Sequence, residues 1–333
     1  MHPVISLLSE LKVGEPLTFR QMSIFPLRSS SGPVVDYLLL SDALQDGLVS
    51  VRETSRSGSV PELVVENRAD RPVLIVDGEE LVGAKQNRVA NLTLLVAAAK
   101  STTIPVSCVE QGRWSWQSDE FAASERVQFA RGRARKLASV QASMRMSGTR
   151  FSDQGAVWDE IGVKAAAMDA RSPTGAMSAI FEEHAESLDE FVNRMQAQPG
   201  QTGGLFALGD AICGLDVFDK PATFVALLPK LVRSYGIDAL ERPAESCAAP
   251  GVDAARDFLA HLACGKLEEH PAMGLGYDVR IEAPGVIAGG LVAESSLIHL
   301  AAFAELRASQ AVSSDPGRFA DRHQRQYALQ CRR

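Results

Sequence analysis

Hydrophobic positions along the chain change their period twice. From Leu17 to Trp116 they come as short apolar runs: Met22–Leu27, Val34–Leu40, Leu48–Thr54, Glu62–Val65, Val73–Val76, Ala90–Val96 and Thr103–Val109. Clusters of Gly, Pro, Ser, Asn and Asp separate them, and such spacing predicts an antiparallel sandwich or barrel-like layer, not β-α-β units. Ahead of these runs, Ile5, Leu8 and Leu11 mark one side of a short helix that breaks at Gly14-Glu15-Pro16. From Glu120 the period becomes helical. Val127, Ala130, Ala134 and Leu137 predict one helix, and Val157, Ile161 and Ala165 a second. Phe181, His184, Leu188, Phe191, Val192 and Met195 form the apolar face of a third, which Pro199-Gly200 stops. Leu205–Leu208 and Ala211–Val217 read as a strand pair. Phe224, Leu227, Leu228, Leu231 and Tyr235 predict a helix with Asp219 as N-cap and Pro221 in its first turn. One more helix spans Val252–Cys264, and strands return at Tyr277–Ile281, Val286–Val292 and Ser296–Phe303.

This order predicts an α+β protein. An antiparallel strand-rich N-terminal layer packs against a largely helical middle, and a C-terminal strand hairpin is free to rejoin the first sheet. Residues 1–308 are expected to form a single domain and 309–333 a mobile polar tail. Composition adds exclusions. The net charge of −7 argues against nucleic acid and acidic membrane surfaces as partners. Cys108, Cys213, Cys247, Cys264 and Cys331 are odd in number and widely spaced, which suits neither a disulfide framework nor a zinc-thiolate site. The N-terminus lacks a signal-peptide pattern, and no run reaches the 18 or so apolar residues of a membrane span. A cytoplasmic protein follows as the expectation. The sequence leaves the cofactor and the oligomeric state open.

Candidate chemistry concentrates between Val73 and Trp114. An apolar run turns at Asp77-Gly78, and Glu79, Glu80, Lys85, Gln86, Asn87 and Arg88 then crowd together. Glu110, Arg113 and Trp114 close the following strand. So many polar groups beside core strands must be solvated, paired with one another or holding a ligand. Paired carboxylates suit acid/base work, because a desolvated cleft pushes their pKa values apart. In that reading Glu79 or Glu80 is the acid/base or holds an attacking water. Arg88 and Arg113 take phosphate, Gln86 and Asn87 orient ribose or base, and Trp114 stacks. Asp77, Lys85 and Glu110 complete the ligand-binding set. If strands 73–76, 84–96 and 103–109 run up, down and up, the polar groups share one mouth at the sheet's top edge. The alternative is a structural network, in which Glu79 and Glu80 pair with Lys85 and Arg88, and Glu110 pairs with Arg113.

Other features weigh less. Arg126–Arg150 carries seven Lys/Arg and no acidic residue, which reads as a solvated face or a phosphate-attracting wall. No histidine pair has ligand spacing, and nothing argues positively for a metal held by Glu79, Glu80 and Asp216. His184 suits a core histidine, and Cys108 an inert core thiol. Gly274-Leu275-Gly276 is not a phosphate loop.

Two stretches also carry a resemblance. Val76-Asp77-Gly78-Glu79-Glu80-Leu81-Val82-Gly83-Ala84-Lys85-Gln86-Asn87-Arg88 and Pro105-Val106-Ser107-Cys108-Val109-Glu110-Gln111-Gly112-Arg113-Trp114 resemble the ADP-ribosylglycohydrolase and rhodanese-phosphatase-superfamily-associated protein family. Gln154–Trp158, Gly214–Asp219 and His299-Leu300 match as well, so the likeness spans roughly residues 15–305. It implies a link to ADP-ribose or NAD-derived metabolism and brings no settled activity with it. The function expected is therefore a small-molecule site, binding or hydrolysing an ADP-ribose-like or nucleotide ligand. The alternative is a non-catalytic sensor or interaction module.

Overall fold

The structure, a computed structural model, describes residues 2–304 apart from 31, 56 and 243–248. The expected tail, 309–333, lies outside the described residues. Helices and largely antiparallel sheets are mixed, as an α+β chain requires.

The largest sheet is antiparallel throughout. Its order is Lys12–Val13, Met22–Arg28, Gly203–Leu208, Ala211–Phe218, Ser296–Ala304, Val286–Ala293, Tyr277–Ala283 and Lys266–Pro271, with Leu17–Phe19 also beside Met22–Arg28. Side chains alternate between its faces. Phe25, Leu27, Leu205, Leu215 and Val217 pack with Leu7, Leu8, Leu259 and Leu262 of helices Pro3–Glu10 and Val252–Ala263. Ile24, Phe206, Leu208 and Phe303 face the other way, onto Phe224, Leu228, Leu231 and Tyr235 of helix Pro221–Leu240.

A six-stranded sheet holds Phe121–Val127, Glu79–Gly83, Arg88–Ala90, Lys100–Cys108, Glu62–Asn67 and Val49–Glu53, in that order. Between it and the large sheet lies a small third one: Leu94–Val96, Val73–Ile75 and Leu38–Leu39. Val73, Ile75, Leu94 and Val96 join the core of the six-stranded sheet. Leu74, Val76 and Leu95 join the core beneath the large sheet. Both faces are buried, and so Val73–Val76 reads as an unbroken apolar run.

Several expectations need correction. The N-terminal strands are divided among three sheets: residues 17–28 join the C-terminal strands in the large sheet, and those strands number four where three, ending in a hairpin, were expected. Long-range pairing of this kind leaves no trace in local periodicity. The stretch 84–96 is two strands in two sheets, so the up-down-up edge does not form. Its polar run is a turn, which relieves Lys85, Gln86 and Asn87 of any need for a core-facing side. Glu79 and Glu80 do follow the Asp77-Gly78 turn, and they open a strand of their own, Glu79–Gly83. The helix around Phe181–Met195 is two, Ser178–Glu183 and Ala185–Arg194, meeting at His184, which donates from Nε2 to the Met168 carbonyl. Asp219 does not cap helix Pro221–Leu240. Lys220 holds that position without a side-chain hydrogen bond, and Asp219 accepts from Tyr37.

Candidate functional site

Strand alternation sends Glu79 and Glu80 to opposite sides. Glu79 accepts from the Val76 amide at 2.8 Å and faces the Lys230 ammonium at 3.2 Å. Glu80 accepts from Arg126 Nε at 2.6 Å and from the Ser124 hydroxyl at 2.9 Å. Both side chains are buried. Burial pushes the Glu80 carboxyl above its ordinary pKa, against the pull of Arg126. Two carboxylates on opposite sides of one strand, each engaged by its own cation, do not converge on a single bond.

Asp77 belongs to a deeper group where the sheets meet. It faces Arg133 Nε at 3.1 Å and Lys136 Nζ at 2.8 Å. Both cations come from helix Ala130–Ser147, three residues apart and so on one face. Arg133 also grips Asp216 with two nitrogens, at 2.7 and 3.1 Å. Tyr235 donates to Asp216, and His299 Nε2 lies 3.2 Å from it. The other ring nitrogen of His299 lies 2.7 Å from Thr93 Oγ1, which in turn accepts from the Asp77 amide. Asp216 and His299 sit on adjacent strands of the large sheet with their side chains on one face. Burial alone would raise Asp216, but Arg133 and His299 outweigh it and hold the carboxyl below its usual range. Two cations and two carboxylates balance. Thr93, His299 and Asp216 resemble a hydrolytic triad in chain of contacts only, because all three are shut off from solvent.

The third group surrounds the Gly83–Asn87 turn. Arg113 donates to the carbonyls of Gly83 and Ala84, to Asn87 Oδ1 at 2.9 Å and to Glu110 at 2.7 Å. It is the clasp of the turn. Glu110 also accepts from Thr174 and from the Asn87 amide. Burial works against its charge, yet these donors hold Glu110 below the ordinary carboxylate pKa. Gln86 donates to the Glu110 carbonyl and accepts from Arg88 and from the Cys108 thiol. Burial pushes that thiol up, and Cys108 packs as a core group.

Beneath this turn the pairing is incomplete. Arg88 is fully buried and lies 3.8 Å from Glu53. Nε and Nη2 of Arg88 and both carboxylate oxygens of Glu53 lack hydrogen-bond partners among the described residues. Above them Trp114 and Trp116 are 47% and 48% exposed. The Lys85 ammonium lies 4.9 Å from one ring centre and 5.3 Å from the other, and donates to the Ser57 carbonyl. Gly58, at φ +78°, lets that loop close on the indole: an added Cβ would come within 3.2 Å of both Trp114 and Lys85.

The ten residues singled out in the sequence thus fall into separate groups. Lys85, Gln86, Asn87, Arg88, Glu110, Arg113 and Trp114 come together, whereas Asp77, Glu79 and Glu80 each have other partners. Sequence reasoning missed Glu53, Thr93, Trp116, Arg133, Lys136, Lys230 and Tyr235. For Arg133 and Lys136 a signal existed, since a basic run with no acidic residue on a helix must find its counter-charges elsewhere. The block is not a solvated face. Arg133 and Lys136 are buried, Arg131 and Arg135 pair with Glu160, and Arg145 pairs with Glu268 and Glu282.

Among the described residues no three His, Cys, Asp or Glu side chains are placed to hold a metal ion, and no helix is long and apolar enough to cross a membrane. Fold and site together define an α+β protein built around balanced buried charge, with one aromatic patch on its surface. The chain belongs to the ARG and Rhodanese-Phosphatase-superfamily-associated Protein domain family, whose model matches residues 10–303. Comparison with curated proteins found no match, and comparison with solved structures found none.

Proposed function

We propose that this protein is a non-catalytic binding module for a small molecule with a flat ring and phosphate, of the nucleotide or ADP-ribose class. The site is the Trp114–Trp116 patch. The single observation that carries the reading is two indoles left about half-exposed, each near one lysine ammonium, with a buried arginine behind Trp114. Exposed large aromatics set side by side are unusual unless something covers them. A base stacked on indole gains about 1–3 kcal/mol, and Lys85 and Arg88 supply positive potential for phosphate. No hydrolytic step is assigned to Glu79 or Glu80, whose burial and separate ion pairs speak for a structural role.

Titration with ADP-ribose, NAD and nucleoside diphosphates, followed by tryptophan fluorescence and thermal shift, tests this. Quenching and stabilisation are expected, together with unchanged ligand on chromatography. Both effects should vanish in Trp114→Ala and Trp116→Ala and persist in Glu80→Gln. No response to any of these ligands at millimolar concentration overturns the reading, since ligand bound to the folded state must raise stability.

A further inference from the structure

A cavity of about 520 Å³ opens between helix Pro3–Glu10 and the turn that joins strands Val286–Ala293 and Ser296–Ala304. Ser6, Leu7, Val34, Asp219, Ser295 and Ser296 are among the residues lining it. Asp219 is only 7% exposed. One oxygen, Oδ1, accepts from the Tyr37 hydroxyl, which also contacts Thr223 Oγ1 at 2.8 Å. The other, Oδ2, is enclosed and has no hydrogen-bond partner among the described residues. A buried acceptor without a donor is costly, and folded proteins seldom leave one. Lys220 does not fill the gap. Its ammonium lies 3.8 Å from the Tyr37 ring centre and 3.8 Å from Asp36.

The turn at the rim supplies hydroxyl groups. Ala293 pairs with Ser296, leaving Glu294 and Ser295 as a two-residue hairpin turn with φ +48° and +61°. Asn-Gly would enter that conformation at less cost. Ser295 of this turn and Ser296 after it lie on the cavity wall.

We propose that this cavity binds a small organic ammonium ion, seated on the carboxylate of Asp219 with serine hydroxyls accepting its remaining N–H groups. An ammonium group has three donors and no acceptor, which complements a wall of carboxylate and hydroxyl oxygens. Leu7 and Val34 give its carbon chain an apolar surface. Anions are disfavoured by Asp219 itself. Burial above all raises that carboxyl to about 6, against the pull of the Tyr37 hydrogen bond and Lys220. Protons therefore compete with the cation. Tyr37 is held neutral well above its usual range, chiefly by burial and by Asp219. Lys220 and Asp36 pair with each other, and Glu294 is exposed.

Calorimetric titration of the full chain with 1,4-diaminobutane and with ethanolamine, with glycerol and acetate as controls, tests the assignment. At pH 7.5 the amines are expected to bind and the controls not. Affinity should fall at least tenfold in Asp219→Asn, and also in wild type when the pH drops from 7.5 to 5. Ser6→Leu, which narrows the cavity while keeping the carboxylate, should lose binding too, with the circular dichroism spectrum unchanged. It decides the matter if Asp219→Asn does not fold. Absence of amine binding by the wild type, equal binding by either folded variant, or glycerol binding as tight as the amines overturns the proposal. None of these results touches the indole patch, whose ligands are scored separately by fluorescence.

Discussion

At the scale of single residues, a large effect is expected at Arg113. Arg113→Ala removes the donors that hold the Gly83–Asn87 turn and leaves Glu110 without its cation. Breaking a buried pair from one side costs about 3–5 kcal/mol, to be measured by urea denaturation. Trp114→Ala, a half-exposed position, should cost far less and so separates binding from folding. Glu110 also sets a pH dependence. Its folded pKa is depressed, so its contribution is complete above the unfolded value of about 4.3. It is lost as the pH falls through the lower folded value. Glu110→Gln should flatten the stability curve between about pH 5 and 3. The polar residues of this turn were conspicuous in the sequence because four in a row cannot share a half-buried strand. That Glu79 and Glu80 go separate ways was hidden, since it depends on reading Glu79–Gly83 as a strand, and two glutamates after an Asp-Gly pair look like loop.

Among elements, helix Ala130–Ser147 ties the molecule together. Arg133 and Lys136 reach Asp77 beside the small sheet and Asp216 in the large one, so one helical face holds two sheets. Arg133→Met is expected to destabilise by about 3–5 kcal/mol by stranding two carboxylates. Adding Asp216→Asn should recover part of that loss, and a double-mutant cycle reads the coupling directly. Additive losses would show that the two side chains do not act as a pair. The helix itself was legible from Ala130, Ala134 and Leu137. The direction of Arg133 and Lys136 was not, because their counter-charges, Asp77 and Asp216, lie more than fifty residues away on either side along the chain.

Over the whole molecule, the apolar runs and the helical faces were readable one by one, and most strands and helices fall where periodicity put them. Their assembly was not readable. Strand pairing between residues 22–28, 203–218 and 296–304 is a property of the closed sheet and not of any local window. Because the small sheet shares one face with each neighbouring core, we expect the described part of the chain to unfold as one unit. Fluorescence and far-UV circular dichroism should give coincident urea transitions. Two separated midpoints would show instead that the six-stranded sheet melts on its own.

The place of the Ser296–Ala304 strand has a consequence for synthesis. It lies inside the large sheet, flanked by Ala211–Phe218 and Val286–Ala293, yet it follows every other described strand in the chain. While the polypeptide is still emerging, both flanks present bare backbone, a template for pairing with the wrong chain. Asp216 meanwhile waits for the histidine that will complete its shell. The growing protein therefore passes through an adhesive interval that ends only when this strand inserts, and its yield in a cell should depend on chaperones that cover open strands. A chain stopped at residue 295 should precipitate or be degraded, whereas adding a synthetic peptide of residues 296–304 during refolding should restore soluble material. Full solubility of the shortened chain without the peptide would refute this view.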